Sequence, residues 1–139
     1  MRSLILLLAL GLPELAQAQQ FVDFQTPSGN IHCSIMSGMG DAQDGARCDI
    51  GDYTPSILMV PPPDCDLDWG HAFVIGATSS AGALGCAGDT LINPANPVLT
   101  YGQSVTSGGI TCRSEKTGLT CQNSAGHGFM LSKARQNLF

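Results

Sequence analysis

Two histidines occupy matching places in this chain, in Gly70-His71-Ala72-Phe73 and Gly126-His127-Gly128-Phe129. Imidazole changes charge near neutral pH, so either residue could act as a general base or a metal ligand. One catalytic site needs one base with one orienting partner. A His repeated in equivalent turns points instead to backbone hydrogen bonding in both halves. If the halves faced each other, both rings would line one ligand or metal site. A hydrolase would take His127 or His71 as its base, yet no Gly-x-Ser-x-Gly elbow, Ser-x-x-Lys or His-Glu-x-x-His occurs. No residue is assigned a catalytic role.

Carboxylates form the second cluster. Asp64, Asp66 and Asp68 alternate around Cys65, and on a strand they would share one face. Like charges at that spacing repel unless neutralised, and Ca²⁺, which takes several oxygen ligands, is the ion that could do so. No other cofactor is implied. The bland alternative is solvated carboxylates that blunt an edge strand. Asp41, Asp44, Asp49 and Asp52 form a looser acidic group, and neither group has EF-hand spacing. Met36 and Met39 offer two thioethers for Cu(I), but no His adjoins them, so they read as loop or core filler. Trp69 and Tyr101 could stack on a sugar ring or a partner.

Cysteine usage sets the chemistry that remains. Cys33, Cys48, Cys65, Cys86, Cys112 and Cys121 make an even set without a C-x-x-C or a tight Cys/His cluster, which reads as three disulfides rather than zinc. Oxidised, they leave no thiolate nucleophile. The compartment follows from the first residues. Met1-Arg2, the apolar run Leu4 to Leu12, Pro13 and Ala16-Gln17-Ala18 have the layout of a secretory signal peptide. The apolar run is short of the roughly 20 residues a bilayer span requires, so an integral membrane protein is not expected. Cleavage after Ala18 would leave residues 19–139 as a single Cys-rich β domain, secreted or periplasmic. Its net charge of −5 and lack of a basic run disfavour nucleic acid and anionic membranes as partners.

The elements that would position these groups are short. Apolar runs such as Ile57 to Val60, Ala72 to Ile75 and Phe129 to Leu131 alternate with Gly, Pro, Asn and Asp, without a sustained 3.6-residue period. This predicts an all-β, disulfide-stapled sandwich or barrel-like domain. Ser37 to Gly45 reads as a hairpin loop, and Pro61-Pro62-Pro63 as an extended connector.

The chain also repeats itself. Ser28-Gly29-Asn30-Ile31-His32-Cys33 matches Ser107-Gly108-Gly109-Ile110-Thr111-Cys112. The Gly-His-x-Phe segments follow Cys65 and Cys121 at one fixed spacing. Two matches in the same order predict two pseudo-repeated halves. Cys112 and Cys121 flank a hairpin turn, where a cross-strand disulfide fits. By analogy Cys33 pairs with Cys48, which leaves Cys65 with Cys86.

Several segments occur in a familiar order: Phe24-x-Thr26-Pro27-Ser28-Gly29-Asn30-Ile31-His32-Cys33, Asp68-Trp69-Gly70, Cys86-x-Gly88-Asp89-Thr90, Val98-Leu99-x-Tyr101-Gly102, Gly118-Leu119-Thr120-Cys121 and Gly126-His127-Gly128-Phe129-x-Leu131-Ser132. In these the chain resembles a family of small secreted bacterial proteins, domain of unknown function 6636, over essentially all of residues 19–139. It departs at Lys133 and Gln136-Asn137, where the family pattern has an Arg and an aromatic. The resemblance implies export and a compact Cys-rich domain, and no activity. The leading expectation is therefore a binding or interaction module for a protein or envelope glycan. Its surface would be Ser37 to Asp44 and Asp64 to Trp69, with His71 and His127 as further binding candidates. A hydrolase is the alternative, and a structural envelope component the third class.

Overall fold

The structure is a computed structural model that describes Pro13 and residues 18–139. The leader expected over residues 1–18 lies outside the described residues apart from Pro13 and Ala18. Ten strands form, with no helix among the described residues; the Ile57 to Val60 run is not one of them and lies in an irregular connection. Strands β1 (Gln20–Gln25), β2 (Ile31–Ser37), β3 (Gly45–Ile50), β4 (Trp69–Gly76) and β5 (Ala83–Cys86) make one antiparallel meander. Strands β6 (Ser104–Ser107), β7 (Ile110–Glu115), β8 (Gly118–Asn123), β9 (Gly128–Leu131) and β10 (Gln136–Leu138) make a second. Period-2 alternation points Ile31, Cys33 and Ile35 of β2 and Ile110, Cys112 and Ser114 of β7 inward, and one core cluster joins both sheets into a sandwich.

The pairing register makes the duplication explicit. Cys33, Cys48 and Phe73 lie opposite one another across β2, β3 and β4. Cys112, Cys121 and Phe129 do the same across β7, β8 and β9. Both bridges join directly paired residues with Cα atoms 4.1 Å apart, and the third links Cys65 to Cys86. The consecutive pairing read from the hairpins is the one observed.

Equivalent residues also touch each other across the core. Cys48 Sγ lies 3.7 Å from Cys121 Sγ, and the Phe73 and Phe129 rings are 6.2 Å apart at 53°. Such self-matching contacts are those of a two-fold dimer, here built within one chain. Volume is conserved by exchange: the pair Ile35–Ala46 of the first half becomes Ser114–Leu119 in the second.

Two sequence expectations are corrected. The counterpart of Cys121 is Cys48, not Cys65. The shared spacing of Cys65 and Cys121 to Gly-His-x-Phe is a coincidence, because Cys65 sits in the long β3–β4 connection, residues 51–68, where the second half has only residues 124–127. Asp64, Asp66 and Asp68 belong to that same irregular connection rather than to a strand, and all three are exposed. The shared face that would have gathered them for Ca²⁺ is therefore missing. The one group of potential metal-ligating side chains found converging among the described residues is Cys33, Cys48 and Cys121, whose sulfurs are already bound in disulfides.

The halves differ in what covers their outer faces. Residues 87–99, after β5, run as a strap across the outside of the first sheet from β5 to β1. Ala87 N–H donates to Asp68 O, and Leu91 N–H to Asp49 Oδ2. Asn93 N–H donates to His32 Nδ1, and Gln25 Nε2 reaches the Pro94 and Asn96 carbonyls. His32, Asp49 and Gln25 are buried in consequence. Their counterparts on the second sheet are not buried: Thr111 is half-buried, and Gln122 and Thr106 are exposed.

Candidate functional site

Each histidine has a structural position. His32 is 1% exposed; with Nδ1 accepting from Asn93, Nε2 donates to Gly29 O at 3.0 Å, which fixes a neutral tautomer with both nitrogens satisfied. A bulge between Trp69 and Ala72 turns His71 to the outer face, where Nε2 donates to Asp89 O at 3.2 Å and lies 3.7 Å from Asp49 Oδ2. His127 stands in the β8–β9 turn, its N–H donating to Asn123 Oδ1.

The two repeated histidines do not share a site. Asn123 also donates to Gly76 O, at the far end of β4 from His71. Five residues of strand, about 16 Å at 3.3 Å per residue, separate Gly76 from His71. The imidazole nitrogens of His32 and His71 bond backbone groups: His32 to Gly29 and Asn93, and His71 to Asp89.

Asp49 serves the strap. It is fully buried and takes two hydrogen bonds of 2.8 Å from the Arg47 guanidinium. Arg47 and Asp49 share a face because strand side chains alternate, and the planar guanidinium matches the carboxylate. Arg47 also reaches Asp89 Oδ1 at 2.9 Å, and these partners raise its own pKa.

The guanidinium, through its hydrogen bond and then its charge, holds the Asp89 carboxyl below the usual carboxylate range. A depressed folded-state value favours the strapped form above the unfolded value, about pH 4, and that contribution is lost as pH falls through the folded value. The contact should therefore persist through mildly acid solution and fade only below it. A side-chain ¹³C titration in which Asp89 ionises in the usual carboxylate range would contradict this.

Trp69 opens β4 opposite Cys86, with its indole Nε1 buried and without a hydrogen-bond partner. It is half-buried rather than displayed as a stacking surface. The hairpin loop expected over Ser37 to Gly45 spans residues 38–44, with Ser37 ending β2 and Gly45 opening β3, and the Asp44 carboxylate closes it on the N–H groups of Gly38 and Met39.

A well-formed concavity lies elsewhere. At the end of the sandwich formed by the β1–β2 and β7–β8 turns, a cleft of about 390 Å³ opens between the sheets. Its floor is Ile31, Leu119 and Leu131, and its rim carries Thr26, Ser28, Asn30, Tyr101 and Ser132. The charged side chains at the rim are Asp52, Glu115, Lys116 and Lys133. Two further hollows of about 230 and 200 Å³ fall below the roughly 300 Å³ at which ligand sites begin.

The rim is held in place from behind. Thr26 Oγ1 accepts the Ile31 N–H at 3.3 Å and lies 3.2 Å from Ser28 Oγ. The Asn30 amide bonds Asp52 through both its oxygen and its nitrogen, at 2.8 Å each. Asp52 is thereby placed to pair with Lys133 Nζ at 2.8 Å. Buried Gln136 anchors the facing segment, accepting from Ser56 N–H and donating to the Thr54 and Ser132 carbonyls. Tyr101 is 46% exposed at the mouth.

An apolar floor with a few fixed polar groups is the general form of a small-ligand site. Sequence reasoning did not single out this cleft, because its residues come from five separated parts of the chain. The available signal was that Thr26 to Ile31, Tyr101, Gly118-Leu119 and Leu131-Ser132 all fall in the segments that carry the family resemblance.

The family model described as "Family of unknown function (DUF6636)" covers residues 3–139. No curated protein and no solved structure matches the chain.

Proposed function

The chain belongs to the family of unknown function DUF6636, and from its geometry we propose that it is an exported ligand-binding module whose site is the cleft between its two sheets. The observation that carries this reading is the cleft itself: about 390 Å³, floored by Ile31, Leu119 and Leu131, with a rim whose polar groups are held by hydrogen bonds to neighbouring segments. Rigid placement of this kind lowers the ordering cost of binding. The two sheets, tied by three disulfides, supply the scaffold, and the connections at one end supply the contacts. Export is supported by the leader pattern in residues 1–18, and the disulfides are consistent with an oxidising compartment. Small envelope glycans and short peptides are the ligand classes of fitting size. A larger protein partner would rest on the exposed Asp64 to Asp68 segment instead.

A thermal-shift screen of oxidised residues 19–139 against peptidoglycan fragments, neutral and charged sugars, short peptides and Ca²⁺ tests this. A ligand at about 100 times its Kd stabilises by roughly 2.7 kcal/mol, a rise of several degrees in a domain this size. Hits are expected to lose most of that rise in Tyr101→Ala and Lys133→Ala, both exposed changes that leave the core intact. Rises that survive both substitutions would place the site elsewhere.

A further inference from the structure

The charge around the cleft does not follow the charge of the domain. After residue 18 the chain has five basic side chains, Arg47, Arg113, Lys116, Lys133 and Arg135, within a protein of net charge −5. Arg47 is committed to Asp49 and Asp89 under the strap. Lys116 stands on the β7–β8 turn and Lys133 and Arg135 on the β9–β10 connection, both beside the cleft, while Arg113 lies within β7. The two carboxylates at the rim already have partners: Asp52 pairs with Lys133 at 2.8 Å, and Glu115 with Arg113 at 2.6 Å. Among the described residues Lys116, at the tip of the β7–β8 turn and in the cleft lining, enters no ion pair. None of Asp64, Asp66 and Asp68 lines the cleft. The four charged groups lining the cleft thus sum to zero in a protein of net charge −5, and with both carboxylates paired Lys116 is the counter-charge left open to a ligand.

The remaining groups narrow the chemistry. Tyr101 offers a half-exposed ring, and the Ser28 hydroxyl lies in the same lining, whereas the Ser132 hydroxyl is engaged with Arg135. A ring face together with a hydroxyl partner suits a pyranose, whose C–H face stacks and whose hydroxyls hydrogen-bond. We infer that the cleft takes an oxyanion-bearing sugar, a uronate or a sugar phosphate, with Lys116 as the principal counter-charge and Lys133 in support. The inference rests on the cleft being the ligand site, as proposed above.

The test uses three pyranoses that differ only at C6: glucose, glucuronate and glucose 6-phosphate. Each is titrated into ¹⁵N-labelled, oxidised residues 19–139, and amide shifts are followed in the wild type and in Lys116→Gln. The two anions are expected to shift cleft amides with a Kd at least tenfold below that of glucose. That preference should shrink in Lys116→Gln and at 0.5 M salt, where the Debye length falls to a few ångströms. A response to only one anion separates carboxylate from phosphate recognition within the same class. Equal binding of glucose and its acids would overturn the oxyanion assignment while leaving the cleft as the site. No cleft response to any of the three would overturn the sugar-acid assignment, with the broader screen then deciding the cleft. An anion preference unchanged in Lys116→Gln would remove Lys116 from it.

Discussion

Replacing Cys33 and Cys48 together by alanine is expected to cost the domain about 3 kcal/mol through chain entropy alone. A further loss should follow from the void left in the core, since both residues are essentially unexposed. The same exchange at Cys65 and Cys86 opens a loop of similar length, but Cys86 is exposed and Cys65 only half-buried, so the void contribution should be small. The peripheral bridge should also be reduced first under mild reductant, with the two core bridges protected until the sandwich opens. Urea denaturation of each double variant, with mass mapping of thiols during reduction, checks both points. A peripheral bridge that outlasts the core pair would contradict the packing described here.

The single substitution Cys33→Ala is a sharper case. It frees Cys48 at 3.7 Å from Cys121 Sγ. Attack of the Cys48 thiolate there forms a Cys48–Cys121 bond and releases Cys112 as the leaving thiolate. Peptide mapping should find this rearranged bridge in the single variant and not in the double one.

Asp49→Ala is expected to be comparably severe, at about 3–5 kcal/mol, because it leaves the Arg47 guanidinium without its buried partner. It also strands the Leu91 N–H, so the strap should loosen before the sandwich melts. Amide exchange in residues 87–99 would then rise ahead of global unfolding. Replacing Arg47 and Asp49 together by apolar residues should recover part of the loss, since the costly state is the unpaired charge. An Asp49→Ala variant within 1 kcal/mol of wild type would mean that the strap is held by something else.

The fold was legible because its signals are local. A hairpin gave Cys112–Cys121, analogy gave Cys33–Cys48 and elimination gave Cys65–Cys86, and the Ser-Gly-x-Ile-x-Cys repeat marks the β1–β2 and β6–β7 turns. The Gly-His-x-Phe repeat correctly matched β4 with β9 but attached the wrong cysteine, since equal spacing along the chain is blind to an inserted connection. The loose group of Asp41, Asp44, Asp49 and Asp52 dissolves for the same reason. Asp44 caps a loop, Asp49 binds Arg47, and Asp52 binds Lys133. Of these only Arg47-x-Asp49 could have been read from strand alternation. The cleft was not legible, because Asn30, Asp52, Tyr101, Lys116 and Lys133 meet only once both sheets have closed.

The most direct test of the cleft as the working surface is an amide chemical-shift map of oxidised residues 19–139 with the strongest ligand from the screen. The account predicts shifts concentrated at residues 26–31, 52, 101, 115–119 and 131–133, with residues 64–69 and 124–127 unchanged. Shifts confined to residues 64–69, or to the Ser37 to Asp44 loop, would contradict it and move the function to the exposed connections.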